Sequence, residues 1–381
     1  MHRVPLVVFS HLRWDFVWQR PQHVMTRLGA RRDVLFVEEP IVDGPPRLAI
    51  EQVADGVRVA RPHLIEPGPA FGAKQQPTMV HLLRDFLRSE RWDTVAAWLY
   101  TPMAVRIARA LEPQVMVYDC MDQLANFQDA PPELLEREDE LLLHADVVLT
   151  GGPSLYRDKS RLHRFVRCFP SSVDVAHFAS ASCTQPPAEQ SHLAVPRLGY
   201  YGVIDERLDY ELIAAIADAH PEWSVVMVGP VVKVDPARLP QRPNIHWLGQ
   251  RAYEQLPAYV GDWDVCLMPF AINEATKFIS PTKVLEYMAA DRPIVSTPIA
   301  DVAEPYGGIV AIADGAGEFI AACERMLAED DAARTERRTR AHHVLQHTSW
   351  DNTVHRMDNI LHYLGDFGGT AALPKSAAGW R

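Results

Sequence analysis

Short runs of Val, Ile and Leu alternate with longer stretches in which apolar residues recur every three or four positions, and this alternation persists through most of the 381 residues. Buried parallel strands read as near-continuous apolar runs and crossover helices as 3.6-period segments, so the pattern predicts parallel sheets with helical connections. In the first half the predicted strands are Pro5–Ser10, Val34–Val37, Val57–Ala60, Val95–Leu99, Gln114–Tyr118, Val147–Thr150 and Arg167–Phe169. From Ala179 to Pro196 the periodicity gives way to Ser, Ala, Gln and Pro, the composition of a link between domains. The alternation then resumes, with strands expected at Arg197–Tyr201, Ser224–Val228, Ile245–Leu248, Val265–Met268, Pro293–Ser296 and Gly308–Ile312. The clearest helix is Leu208–Ala219, where Leu208, Leu212, Ile213 and Ile216 share a face. The expected organisation is α/β, with domains at 1–180 and 197–348. A helix at 349–364, carrying Trp350, Val354, Met357 and Leu361, is expected to pack back on the first domain, with a frayed tail beyond Gly365.

Composition narrows the function more than the fold. A chain of 381 residues exceeds what one core usually supports, so two domains follow, and the cleft between them is the default place for a site. With 48% hydrophobic and 23% charged residues the chain reads as an ordinary globular protein. A net charge of −11 argues against nucleic-acid binding, so any anion site must be local. The cysteines, at 120, 168, 183, 266 and 323, are widely spaced and form no CxxC pair, as expected of reduced thiols in a reducing compartment. No apolar run reaches the roughly 18–20 residues of a membrane span, and the N-terminus lacks the pattern of a signal peptide. The expectation is a cytoplasmic protein, with peripheral contact at the inner face of the cell membrane left open.

The strongest local signal for binding is the stretch from Phe270 to Thr297. A strand ending at Met268 runs into a polar loop containing Lys277; Ser280 and Pro281 then have the order of a favoured helix start, followed by Thr282, Lys283 and Glu286. Unpaired N–H groups at a helix start and a lysine in its first turn suit a diphosphate, and a carboxylate suits the paired hydroxyls of a ribose. A capped helix with a solvated lysine and glutamate explains the same residues. Gly202, at the end of the strand Arg197–Tyr201, permits close backbone approach by a ligand, with Asp205 in the turn after it. Gly229 ends the next strand, and Arg251, with Gly249 and Tyr253, follows the one after, where they are candidate walls for a base; ordinary turns are the competing reading.

In the first half Asp119 and Asp122 follow a predicted strand, and His11 follows the first one. Each is a candidate for acid–base work, and each has a structural alternative as a cap or a packed side chain. The cluster Trp14, Phe16, Trp18, Gln19, Arg20, Pro21, Gln22, His23 is suited to stacking on sugar rings, with Arg20 on an acceptor phosphate, or else to a packed helix start. Arg157, Lys159, Arg161, Arg164 and Arg167 form a basic stretch that could hold the headgroup of a lipid diphosphate, or be a solvated helix face.

These residues carry a resemblance. The segment KVLEYMAADRPIVST is similar to the LEAMAxGxPVIA motif of GT-B glycosyltransferases of the family 4 type, with Glu286 at the ribose-binding glutamate. HADVVLTGGPSLY and FPSSVDVAHF look like the ADxVIxxS and PNGVDxxxF motifs of that family, and HTSWDNTV like its FSWxxxA. The start, FSHLRWDFVWQRPQHVMTRLGARRDVLFVEEP, resembles bacterial cell-surface polysaccharide transferases of the teichuronic acid and exopolysaccharide kind. The resemblance implies a GT-B fold, two Rossmann-like doubly wound domains facing a cleft. It implies a transferase moving sugar from a nucleotide-sugar donor, a UDP-sugar favoured, to a growing and lipid-linked glycan, with no metal or other cofactor. Two departures stand out: Phe278 occupies the place of the family's first glutamate, eight residues before Glu286, and Asp205, Glu206 and Arg207 stand where the family has Arg and Lys. Lys283 then meets the phosphate charge, as in the similar inverting glucuronosyltransferase of xanthan assembly. Asp122 is the base for an inverting enzyme, and Asp119 orients it or caps a helix. A GT-B UDP-sugar epimerase and a non-catalytic scaffold remain alternatives.

Overall fold

The structure, a computed structural model, describes residues 3–367. The chain forms two compact units: unit 1 runs to Pro170 and resumes at Trp350, and unit 2 is Ser171–Ser349.

Unit 1 is built on β1 (Leu6–Phe9), β2 (Val34–Val37), β3 (Ile41–Val42), β4 (Arg47–Ala54), β5 (Val57–Leu64), β6 (Ala96–Leu99), β7 (Val115–Cys120), β8 (Val147–Thr150) and β9 (Val166–Cys168). The order is β3-β5-β2-β1-β6-β7-β8-β9, with every pair parallel except β4, which lies antiparallel on β5. Residues of β1, β2, β6, β7 and β8 are all buried, as their unbroken apolar sequences require. β4 was not expected: most of its residues are exposed, so RLAIEQVA carries no apolar run to announce it. The chain starts at the centre of the sheet, moves out through β2, and returns on the other side at β6. This leaves a topological switch point between β1 and β6.

The helix Trp350–Phe367 belongs to unit 1. Its buried residues Trp350, Val354, Met357, Ile360, Leu361 and Leu364 follow helical spacing and join the core of Leu6, Val24, Leu28 and Phe36. Asp358, on the same helix, is buried against Arg32, Arg3 and Arg31. The tail expected to fray beyond Gly365 lies outside the described residues from 368 on.

Unit 2 contains β10 (Arg197–Tyr201), β11 (Ser224–Val228), β12 (Ile245–Gly249), β13 (Val265–Met268), β14 (Ile294–Ser296) and β15 (Ala311–Ile312), ordered β12-β11-β10-β13-β14-β15 and parallel throughout. That is the Rossmann order, with its switch point between β10 and β13. The clearest expected helix begins two residues late, at Tyr210, because Asp209 caps it by accepting from Leu212 N at 2.9 Å. The chain enters unit 2 at Ser171, upstream of the stretch expected as a link. Within that stretch Gln190 is fully buried, its amide donating to Tyr259 O (3.1 Å) and Asp262 (2.9 Å) while accepting from Trp263 Nε1 (3.2 Å). Polar anchoring of this kind leaves no apolar period to read.

Replacing Asp358 with Ala would leave the buried Arg32 guanidinium without its main counter-charge. Urea unfolding should register a loss of about 3 kcal/mol. A loss indistinguishable from zero would mean that water reaches Arg32.

Candidate functional site

The unit 2 candidates converge on the ends of β10 and β11. Gly202 follows β10 with φ +141°, and its N–H donates to Val228 O at 2.9 Å. Gly229 follows β11 with φ +147°, and a Cβ there would stand 1.8 Å from Gly202 O. A side chain at either position would force the strand ends apart. A Cβ on Gly202 would also meet Lys283 Cε at 2.2 Å, so the lysine side chain lies directly over this glycine. Its ammonium is 5.5 Å from the Tyr200 ring centre and 6.0 Å from that of Tyr201.

Lys283 opens the helix Lys283–Ala289, flanked by Thr282, whose carbonyl accepts from Leu285 N (3.0 Å) and Glu286 N (3.3 Å). The helix therefore starts later than the Ser280–Pro281 pair suggested. Ser280 lies outside it, its carbonyl accepting from the Ser171 hydroxyl at 2.8 Å. With seven residues, this helix has little dipole to offer an anion, and the positive charge at the site is that of Lys283.

Glu286 is buried, and its carboxylate accepts a short hydrogen bond from the Tyr201 hydroxyl. Burial raises its pKa to about 7, against the opposing pull of the Tyr201 hydroxyl, the Lys283 charge and the Thr282 side chain. Tyr201 is itself held in an aromatic row, stacked on Phe178 at 6.2 Å and set edge-on to Tyr287 at 5.3 Å. The row continues to His177, stacked on Tyr253 at 4.4 Å.

Other candidates are engaged elsewhere. Asp205 is buried and grips Arg207, with Nη2 to Oδ2 at 2.6 Å and Nε to Oδ1 at 2.9 Å, so it braces the turn. Arg207, named in the sequence only as a departure from the family pattern, stands close enough to Tyr200 for its charge to act on the phenol. Arg251 is turned onto Glu189 (2.7 Å) and the Tyr259 hydroxyl (2.6 Å), which corrects its expected place in a base wall. Lys277 is exposed and pairs with Glu274 at 3.3 Å. The loop around them is ordered by Asn273 and the buried Thr276, whose backbone N donates to Asn273 Oδ1 at 3.1 Å.

In unit 1 the expectation for Asp119 as a catalytic group is corrected. It is fully buried and clasped by Arg20, with Nη2 to Oδ1 at 2.8 Å and Nε to both oxygens at 3.1 and 3.2 Å. Arg20 also donates to Phe169 O at 2.7 Å and is itself buried, so it cannot meet an acceptor phosphate. Much of the rest of the aromatic cluster is packed as well, while Trp18 stays exposed. Trp14 packs on Phe36 at 5.1 Å, and Gln22 donates to Trp14 O (2.8 Å) and Val17 O (3.0 Å). His23 stacks on Trp350 at 4.8 Å and accepts from Trp18 Nε1 at 3.3 Å. Asp122 and His11 are half-buried, in the loops after β7 and β1. With β6 between those strands, their starting points are about 10 Å apart. The Asp122 loop is anchored by Gln123, which donates to Glu138 at 2.9 Å and accepts from Lys159 at 2.6 Å.

Comparison with known proteins shows what this geometry is similar to. Residues 196–329 match the family Glycosyl transferases group 1. TuaH of Bacillus subtilis (strain 168), a protein assigned to teichuronic acid biosynthesis as a glycosyltransferase, is 30% identical over 139 residues, a match spanning 35% of this chain and 35% of that protein. Among solved structures, a sucrose-phosphate synthase from Thermosynechococcus elongatus superposes with a TM-score of 0.71 at 16% identity, covering 96% of this chain and 100% of that one. The E. coli trehalose-6-phosphate protein bound with UDP-2-fluoro glucose gives 0.67 at 14% identity, over 94% and 98%. A UDP-forming α,α-trehalose-phosphate synthase from Burkholderia vietnamiensis gives 0.66 at 15% identity, over 95% and 99%. The fold is thus GT-B, with Rossmann-like domains, and residues 196–329 are similar to group 1 glycosyl transferases.

The Glu286 carboxyl has a consequence for stability that is independent of any ligand. Its folded pKa of about 7 lies above the ordinary 4.5, so between these values the folded state holds a proton that the unfolded state releases. The stabilising contribution is complete below the lower value and is lost as pH rises through the upper one. Relative to Glu286→Gln, the parent protein should lose about 3 kcal/mol of stability between acid and alkaline limits in denaturant titrations. Parallel pH profiles for the two proteins would show that the carboxyl is not shifted.

Proposed function

We propose that the protein is a glycosyltransferase that binds a nucleoside diphosphate sugar, a UDP-sugar above others, on unit 2 and passes the sugar to a glycan acceptor held by unit 1. The observation that carries this reading is the arrangement of Lys283 over Gly202 with Glu286 one turn along, inside a segment similar to group 1 glycosyl transferases. In this reading Lys283 holds the diphosphate. Glu286 accepts from the ribose hydroxyls, Gly202 and Gly229 let the backbone approach the phosphates, and Tyr253 and His177 offer flat faces to the base. One solved neighbour, bound with UDP-2-fluoro glucose, supports the choice of donor, and the Bacillus subtilis relative is named for teichuronic acid biosynthesis. The acceptor in this reading is a growing lipid-linked cell-surface glycan, met at the inner face of the membrane. No helix among the described residues is long and apolar enough to cross a membrane.

Transfer forms a bond from an acceptor oxygen to the sugar's anomeric carbon and breaks the bond from that carbon to the diphosphate. Charge develops on the departing diphosphate, where Lys283 stabilises it; EDTA-insensitive turnover would show that side chains carry this load without a metal. The anomeric outcome sets the part of Asp122. Inversion calls for a base on the acceptor hydroxyl, and Asp122→Asn would then abolish transfer while leaving donor binding intact.

A thermal-shift screen of UDP-, GDP- and dTDP-sugars should show stabilisation by a UDP-sugar. Lys283→Met should weaken it about 10- to 100-fold, the worth of a charge-assisted hydrogen bond. Because ribose hydroxyls need the ionised carboxylate, affinity should rise between pH 6 and pH 8, by up to about tenfold per unit below the Glu286 pKa, and Glu286→Gln should flatten the dependence. Unchanged nucleotide binding in both variants would defeat the assignment.

A further inference from the structure

The basic stretch of unit 1 lies at the edge of the sheet where strands begin. β8 starts at Val147 and β9 at Val166, and the segments 143–146 and 160–165 lead into them. His163 ties these segments together, with Nε2 3.0 Å from Ala145 O and Nδ1 3.0 Å from Phe165 O. On this edge Leu143 is 82% exposed and Leu162 59%, with Tyr156 at 40% on the helix leading down to it. Arg157, Arg161, Arg164 and His144 are exposed around them. The other cations of the stretch are withdrawn: Lys159 is buried on Glu138 at 2.9 Å, and the Arg167 guanidinium lies 4.5 Å over the Phe165 ring.

Single exposed leucines are ordinary, but two beside three arginines, in a chain of net charge −11, have the amphipathic make-up of a bilayer interface. Guanidinium groups meet anionic headgroups while the leucines reach the acyl boundary. We propose that this edge of unit 1 docks on an anionic lipid bilayer. The same stretch was expected to hold an acceptor headgroup, and its place favours the bilayer surface instead. In open α/β sheets ligands bind beyond the strand ends, and this surface lies at the strand starts. Three arginines and two leucines give reversible attachment that salt weakens, since the Debye length is about 10 Å at 0.1 M. The proposal does not depend on the donor assignment.

Co-sedimentation of the full chain with vesicles tests it. The protein should pellet with phosphatidylcholine–phosphatidylglycerol vesicles and not with phosphatidylcholine alone, and high salt should release it. The double variants Leu143→Asp/Leu162→Asp and Arg161→Glu/Arg164→Glu should each lose about tenfold or more in vesicle affinity. All four positions are exposed, so melting temperature and UDP-sugar thermal shift should stay at parent values. Equal binding by parent and variants would overturn the proposal. So would a dimer of the parent that the leucine variant dissociates, without vesicle binding, because the patch would then belong to a second copy of the chain.

Discussion

The ends of β10 and β11 stand so close that only glycine fits between them, and the arrangement of unit 2 around its switch point depends on this. With Gly229 packed on the carbonyl of Gly202, the surface beyond β10 carries no side chain of its own, and Lys283 fills that space. Successive strand residues face opposite sides of a sheet, so a cation near both Tyr200 and Tyr201 has to sit at the strand's end. Tyr201 is thereby a fixed neighbour of the helix Lys283–Ala289, and its hydroxyl satisfies the carboxyl that this helix buries. Glycine, lysine, tyrosine and glutamate are thus mutually dependent in position, although they come from two segments about 80 residues apart in a chain whose helices and strands repeat at far shorter intervals.

Unit 1 uses similar chemistry to a different end. Arg20 and Asp119 are both buried, and two charges withdrawn from water persist only when geometry and additional hydrogen bonds compensate. Their near-bidentate contact and the bond to Phe169 O supply that compensation and leave neither group for a substrate. The first turn of the helix Arg20–Gly29 consequently holds both places where the chain leaves and re-enters unit 1. Arg20 fixes Phe169 just before the exit, and His23 stacks on Trp350 at the return. Arg20 and His23 of the motif WQRPQH thus help to close a discontinuous domain.

What the sequence made legible follows from where partners lie. Strands buried on both faces announce themselves locally, so Val34–Val37, Val147–Thr150, Arg197–Tyr201 and Val265–Met268 are readable to the residue. β4, half in solvent, is not, and the link expected over Ala179–Pro196 hid Gln190 because its anchors are polar and distant. Among candidate site residues, Gly202, Gly229, Lys283 and Glu286 do come together. Asp119, Arg251 and Asp205 have the right chemistry and the wrong availability. The partner that disqualifies Asp119 is 99 residues away and that of Arg251 is 62, beyond anything a local pattern encodes. Arg207 illustrates the converse: its pairing with Asp205 is local, but its closeness to Tyr200 exists only once β10 and the turn after it are folded.

On the proposed reading, the buried carboxyl also connects the two halves of the donor. Glu286 is held near neutrality by a contest in which burial favours the protonated form, while the Tyr201 hydroxyl, the Lys283 charge and Thr282 favour the anion. A diphosphate that pairs with Lys283 offsets one of those supports and drives Glu286 further towards its protonated form. Ribose hydroxyls restore what the phosphate removes, since they donate to the anion. A free diphosphate therefore drives Glu286 towards its protonated form, a complete nucleotide offsets that shift, and only the complete ligand satisfies lysine and carboxylate together. Preference for a nucleoside diphosphate over inorganic phosphates then arises from the electrostatic coupling of Lys283 and Glu286 within a single short helix.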